Sequence, residues 1–510
     1  MRRSAALLSG LGAACALTAQ EATPALEEPA WRRQLRPEDE SISKRKADSQ
    51  GVAGGPCYPG KTECPFSTSC EWDQKSEDGE AVRSRICTHK PLVPANGHDI
   101  ATIVLLIAAT ALAAGGGIGG GGLLVPIYRL VAGFPITQAT ALSLATISGG
   151  SIANLYTYTR RYHPNAALKR PLIDYEASLL FCPALLAGTM FGSLFSVMFP
   201  PWLTVILLIA LLGYSGKRTL NKGIKRWKGE DKTSPRPTLD DEAALEDIEV
   251  DTPLGHALAP PVARQDPTPD QVARLDAILA KEGSLVQREN WAKTGVIWLI
   301  VFVFALLRGG GGGASLIPGL DCSQFLYWYL FVANLAVLIA ATCWIRKKTL
   351  DRATEKIFLG HVSLEGDLHW DRRTTVLYPM LCVFAGIAAG LLGIGGGMVL
   401  GPLLVELSCL PQPIAATSAY VVFITATSGL AQVWIMGLVP ADYACAFAAC
   451  GLFSTFLGQS AVDWVVKRYQ KDAIVILIIA SVMLIALVLM TYDGIVQVVY
   501  AVSYGFSPLC

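Results

Sequence analysis

Charge is what this sequence has least of. Asp, Glu, Lys and Arg make up 16% of its 510 residues, against about 25% in a soluble domain. The charge nearly cancels, 42 Lys and Arg against 41 Asp and Glu, which leaves no basic surface for nucleic acid. The six histidines (89, 98, 163, 256, 361, 369) all lie outside the apolar segments. There is no HExxH and no Gly-x-Ser-x-Gly, so no enzyme is expected, and neither metal nor cofactor. Gly309–Gly313 lacks the Gly-Lys-Ser/Thr ending of a phosphate-binding loop. Gly117-x-Gly119-x-x-Gly122 has no strand around it and is no dinucleotide fingerprint.

What is abundant is apolar, 52% of residues. Charge is absent from Ala101–Tyr128 (28 residues), Ala177–Gly216 (40), Thr374–Val405 (32) and Leu407–Ala441 (35). About 20 apolar residues of helix cross a bilayer core. The expected fold class is therefore all-α, a polytopic membrane protein. Hydropathy gives ten segments: A (99–131), B (136–159), C (174–199), D (201–217), E (293–317), F (323–345), A′ (374–405), B′ (412–436), C′ (440–466) and D′ (472–492).

The ends and loops read differently. Arg2-Arg3, an apolar run to Ala19 and Ala14-Cys15-Ala16 suggest a signal peptide over 1–19. A Cys-rich region (20–98), outside or lumenal, then holds Cys57, Cys64, Cys70 and Cys87, which read as two disulfides with three possible connectivities. The first repeat covers 99–217. The cytoplasmic loop 218–292 is acidic and proline-rich and is expected to be largely disordered. It contains one credible helix, from Thr268-Pro269 through Leu279, a solvated linker or a docking element. An extra helix pair (293–345), a second cytoplasmic loop (346–373), the second repeat (374–492) and a tail (493–510) complete the chain.

The repetition rests on particular residues. Gly117-Ile118-Gly119-Gly120-Gly121 and Gly393-Ile394-Gly395-Gly396-Gly397 lie 276 positions apart. Asp174-Tyr175 is echoed by Asp442-Tyr443. With the basic loops after B, D, F and C′ placed in the cytoplasm and the N-terminal region outside behind its signal, parity requires A and A′ to be re-entrant, A from outside and A′ from inside. The two repeats of glycine-broken helices are then inverted copies, a transporter arrangement. Without the signal A and A′ are ordinary spans and the N-terminus lies inside.

A helix broken at membrane depth exposes N–H groups and a positive dipole end, which suits an anion. The competing account is close packing of small residues. Hydroxyl stripes run along B (Thr140, Ser148, Ser151) and B′ (Thr417, Thr425, Ser428), 277 residues apart, extended by Asn154 and Gln432. They could line the anion's path or bond between helices. Glu406 and Arg129, just past the two glycine clusters, are candidates for proton or charge coupling. Arg308 precedes a five-glycine run, while Asp174, Asp442 and Asp463 read as membrane-border residues. Cys182, Cys343, Cys382, Cys445 and Cys450 read as small buried hydrophobes.

Gly-Ile-Gly-Gly-Gly-Met-Val-Leu-Gly-Pro-Leu-Leu (393–404), Ala-Ala-Thr-Ser-Ala (415–419), Val-Pro-Ala-Asp-Tyr (439–443) and Leu-Gly-Gln (457–459) form one set of motifs. Gly-Ile-Gly-Gly-Gly-Gly-Leu-Leu-Val-Pro (117–126) and Ala-Thr-Ala-Leu-Ser (139–143) form the other. Together they resemble the sulfite exporter TauE/SafE family, in its plant and protist branch, over about 99–228 and 374–492. The resemblance implies a multi-pass transporter of sulfite or organosulfonates in the plasma membrane or an endomembrane. Its partners would be a small anionic substrate and the lipid bilayer. By matched position it adds Pro126, Pro402 and Ser418 to the glycines and threonines. The rival is a membrane receptor or assembly protein acting through its Cys-rich region.

Overall fold

The computed structural model describes residues 68–77, 80–93, 95–115, 117, 119–163, 170–230, 269–309, 320, 324–359, 370–393, 395–397, 400–401, 404, 411–469 and 473–500. The signal peptide, residues 501–510 of the tail, Cys57, Cys64 and Glu406 lie outside the described residues, whereas 493–500 of the tail continue the last helix. Within them, two strands pair antiparallel ahead of the helices: β1 (Thr68–Glu77) and β2 (Glu80–His89). The residues between are Asp78 and Gly79, a strong hairpin signal.

Among the described residues twelve helices follow. Segment A is split into α1 (Gly97–Ala114) and α2 (Gly121–Leu130). B is α3 (Ile136–Tyr158), C is α4 (Tyr175–Met198) and D is α5 (Pro201–Glu230). The loop helix is α6 (Pro269–Glu282), starting at its proline. The extra pair is α7 (Arg288–Arg308) and α8 (Phe325–Phe358). The second repeat holds α9 (Thr374–Leu392), α10 (Pro411–Ile435), α11 (Ala441–Tyr469) and α12 (Ala473–Tyr500).

Eight of these helices are long and apolar enough to cross a bilayer. Their outer faces carry exposed Val296, Leu299, Val303, Val332, Ile339 and Phe384, an apolar surface that suits lipid rather than water. The chain is a multi-pass integral membrane protein. α3 is not among the eight, because its hydroxyls and Gly149-Gly150 dilute its hydropathy.

Packing crosses between the repeats. α1 runs parallel to α11: Tyr443 donates to Asp99 Oδ1 (3.3 Å), Thr110 hydrogen-bonds Ser454, and Gly115 rests on Val462. In the other repeat α9 runs parallel to α4, with Gly188 against Gly386 and Gly192 against Gly390. A Cβ on any of these four would press on backbone of the opposite helix, which is small-xxx-small packing. α3 also lies along α11, from Gly149 at Ala448 to Arg161, which pairs with Asp463. α10 lies along α4, beginning where the Asp174 N–H donates to Thr417 Oγ1 (3.1 Å). Each repeat's first two elements thus pack on the third element of the other. α5 and α12 close the pairing, Gly216 facing Met483 and Gly223 facing Leu477.

The extra pair breaks this twofold pattern. α7 lies on α10, where Trp298 Nε1 donates to Thr427 Oγ1 (3.1 Å) and Trp291 packs edge-on to Tyr420. α8 lies on α4, with Phe191 edge-on to Phe331. An ion-pair cluster fastens the basic end. Arg352 and Lys356 reach Glu176 (2.8 and 3.9 Å), and Lys356 and Arg170 reach Glu282 (2.5 and 3.5 Å). That cluster docks the end of α6, so this part of the 218–292 loop is ordered and held, not a free linker.

The cysteines need one correction. Cys182 and Cys382 are buried and free, and Cys450 is half-buried and free. Cys343 is free but exposed, on a face suited to lipid. Cys445 is disulfide-bonded, so it is no small buried hydrophobe.

Candidate functional site

The glycine clusters end one helix and begin another. α1 stops at Ala114, and Gly117, Gly119 and Gly120 then take φ of 63°, 75° and 72° before α2 starts at Gly121. α9 stops at Leu392, and Gly393, Gly395 and Gly396 take φ of 65°, 60° and 25° ahead of helical Gly397. Left-handed backbone of this kind is open to glycine and costly for residues bearing a Cβ. Contact adds a second reason. A Cβ on Gly117 would overlap the Ala415 carbonyl in the first turn of α10. One on Gly393 would lie 2.5 Å from Thr140 Cβ in the first turn of α3. Each break rests on the start of the other repeat's second element.

After its break the chain turns back. Tyr128 in α2 stacks on Phe447 (4.9 Å) and Phe134 meets Tyr443 edge-on (5.0 Å), close to where α1 began at Asp99. In the second repeat α9 begins near Trp370, which meets Phe181 in α4. The start of α10 returns to the same end of α4, at Asp174.

The two breaks converge on one side chain. A Cβ on Gly119 would lie 2.8 Å from Ile147 Cγ2, and one on Gly395 would lie 3.1 Å from Ile147 Cδ1. Ile147 stands at the middle of α3 and is buried. It was invisible in the sequence, being one apolar residue in an apolar helix.

The hydroxyls divide by partner. Ser148, Ser151 and Thr425 donate to carbonyls of their own helices (2.7, 2.8 and 3.0 Å), as does half-buried Thr140 (2.8 Å). Gln432 reaches Ser428 at 3.5 Å. Thr425 also lies beside Gly396, 3.2 Å from a Cβ built there. Among the described residues three buried hydroxyls have no hydrogen-bond partner, those of Tyr420, Ser143 and Ser418, and the two serines lie near the breaks. Ser143 lies one turn along α3 from Thr140, which faces Gly393. Ser418 lies one turn along α10 from Ala415, which faces Gly117. Each break therefore has one unpaired hydroxyl close by on the facing helix. Ser143 escaped the sequence stripe because its counterpart 277 positions on is Tyr420. Asn154 Oδ1 is likewise buried and unpaired.

The charged candidates sit apart from the breaks. Arg129 occupies the last turn of α2, at the end away from the glycines, where a cation suits the helix dipole. Asp174 caps α4, accepting from the Ala177 N–H (2.9 Å). Asp442 accepts from the Leu92 N–H (2.8 Å). Its hydrogen bond with Asp463 holds the Arg161 guanidinium above the usual arginine range. Asp174 and Asp442 lie at helix starts, and Asp463 lies nearly two turns before the end of α11. Among the described residues no group of three His, Cys, Asp or Glu could hold a metal.

Comparison with known proteins bears on this arrangement. The family model described as "Sulfite exporter TauE/SafE" matches residues 101–245 and 271–487. The protein named sulfite exporter TauE/SafE family protein 5 of Arabidopsis thaliana is 30% identical over 397 residues, which is 76% of this chain and 82% of that one. Family protein 2 of the same plant is 28% identical over 384 residues, 74% of this chain and 79% of that one. No solved structure matches. The matched segments run through both glycine breaks and the helices around them, and the chain belongs to the sulfite exporter TauE/SafE family.

Proposed function

We propose that this protein is a secondary transporter of small anions that exports sulfite or organosulfonates across its membrane. One observation carries the reading. Two helix breaks converge on Ile147, and each has an unpaired buried serine hydroxyl on the facing helix, Ser143 or Ser418. New helix N-termini and hydroxyls offer donors to an oxyanion without adding fixed charge. Gly117, Gly119, Gly120, Gly121, Gly393, Gly395, Gly396 and Gly397 form the breaks in this reading. Thr140, Ser148, Ser151, Thr417, Ser418, Thr425 and Ser428 line the path, and Ser143 joins them.

The reading includes inverted repeats. The return of α2 to the Tyr443 level and of α10 to the Asp174 level supports two re-entrant segments entering from opposite sides. Alternating access then comes from one repeat rocking against the other. The N-terminal region lies outside or in a lumen behind a cleaved signal. There the Cα pairing of Cys70 with Cys87 favours a Cys70–Cys87 and Cys57–Cys64 connectivity. With no phosphate-binding loop in the sequence, an ion gradient drives uphill flux, and Glu406 and Arg129 are its coupling candidates.

The test is reconstitution in liposomes with labelled sulfite under an imposed pH gradient. Saturable flux is expected. It should vanish in the Gly395→Leu/Gly396→Leu protein while that protein stays monodisperse. Unchanged flux in this variant would remove the anion site from the breaks. Absence of flux in the unmodified protein, with receptor activity lost on deletion of 20–94, would favour the rival reading.

A further inference from the structure

Arg308 is in the wrong place for an ordinary border arginine. At the end of a span, an arginine normally runs its stem outward and puts its head in the headgroup layer. Arg308, the last residue of α7, is instead 7% exposed. Its guanidinium lies over the rings of Tyr327 (5.2 Å) and Phe331 (5.4 Å) at the start of α8. Ring faces stabilise the cation but leave the in-plane donors unused. Nε and Nη1 of Arg308 are buried with no hydrogen-bond partner. Asn334, one turn further along α8 and 4% exposed, has an unpaired Oδ1. Both line a narrow, partly open cleft where α4, α7, α8 and α10 meet, and Gln432 of α10 lines it too.

Two buried guanidinium donors without acceptors are costly, more so than a neutral pair. Water would accept these hydrogen bonds, but only a compact anion also offsets the buried positive charge. An amide beside it can turn its N–H groups toward such a group. We propose that this cleft is a second anion site, outside the glycine breaks. It binds an oxyanion through the Arg308 guanidinium, with Asn334 as the amide donor. The shared chemistry is an oxyanion of sulfur or phosphorus, supplied either free or as the phosphate of an anionic lipid. The site belongs to the extra helix pair. It adjoins the B′ stripe through Gln432, which reaches Ser428, so an anion held here waits beside the proposed path. That placement rests on the transporter reading; the binding itself does not.

The test counts labelled sulfite bound to the purified protein under anaerobic conditions, in phosphatidylcholine nanodiscs. Two sites are expected in the unmodified protein. Asn334→Asp puts a carboxylate beside the guanidinium, so it should remove one site while keeping or raising thermal stability. Arg308→Gln should remove the same site. Gly395→Leu/Gly396→Leu should remove the other and leave this one. Loss confined to Asn334→Asp and Arg308→Gln supports this site even if the glycine variant shows the break reading to be wrong. Unchanged binding in a stable Asn334→Asp protein overturns it. Adding phosphatidylglycerol to the discs separates the sources. Fewer sulfites bound at this site would identify the lipid phosphate as occupant, and an unchanged count would identify the free anion.

Discussion

The glycines of this protein fall into two groups that resemble each other in sequence and differ in task. Gly188, Gly192, Gly386 and Gly390 lie inside helices and let α4 and α9 touch backbone to backbone. Gly117, Gly119, Gly393 and Gly395 lie between helices in left-handed backbone. The first group is needed only for space, the second for space and conformation together. Glycine therefore serves close packing in one place and left-handed backbone in the other. The clusters that look most alike by motif are breaks, and the spaced pairs are interfaces.

Single alanine substitutions separate these two demands, with thermal or denaturant unfolding in detergent as the readout. Gly117→Ala should cost most, since it suffers left-handed strain of about 1–2 kcal/mol and overlaps the Ala415 carbonyl. Together these reach roughly 3 kcal/mol or more once overpacking is included. Gly188→Ala meets the Val383 carbonyl and Gly386 without strain in φ, so about 1–3 kcal/mol is expected. Gly437→Ala isolates the other term, with φ of 70° and nothing within 4 Å, for about 1–2 kcal/mol. Gly295→Ala, inside α7 with open space around it, should stabilise by up to about 1 kcal/mol. If Gly437→Ala cost as much as Gly117→Ala, contact with α10 would contribute nothing and the distinction would collapse.

Much of this was legible in the sequence, for reasons that also mark where legibility stopped. Apolar runs located the eight helices long and apolar enough to span, because lipid demands such runs. Pro269 located α6 because proline suits only a helix start. Hydropathy could not see α5 running on to Glu230 or α8 to Phe358, since a helix leaving the bilayer keeps its backbone pattern while its side chains turn polar. It could not see that α1 packs on α11 or α9 on α4, because those partnerships exist only in three dimensions. Within the candidate site the glycines announced themselves, whereas Ile147 and Ser143 did not. Arg308 was visible as a charge, but its inward turn and its unpaired donors were not. The N-terminal cysteines gave a count and no pairing, and only the strand register brings Cys70 opposite Cys87.

The seating of Gly117 on Ala415 also sets a schedule. The two residues are about 300 positions apart in the chain. At roughly 5–20 residues per second of synthesis, the first break waits about 15–60 s for the surface that covers it. Throughout that interval the Gly117 turn lacks the helix it packs against. The newborn first half is thus an incomplete membrane protein by construction. Its survival depends on whatever shields a glycine tip until the second half is made.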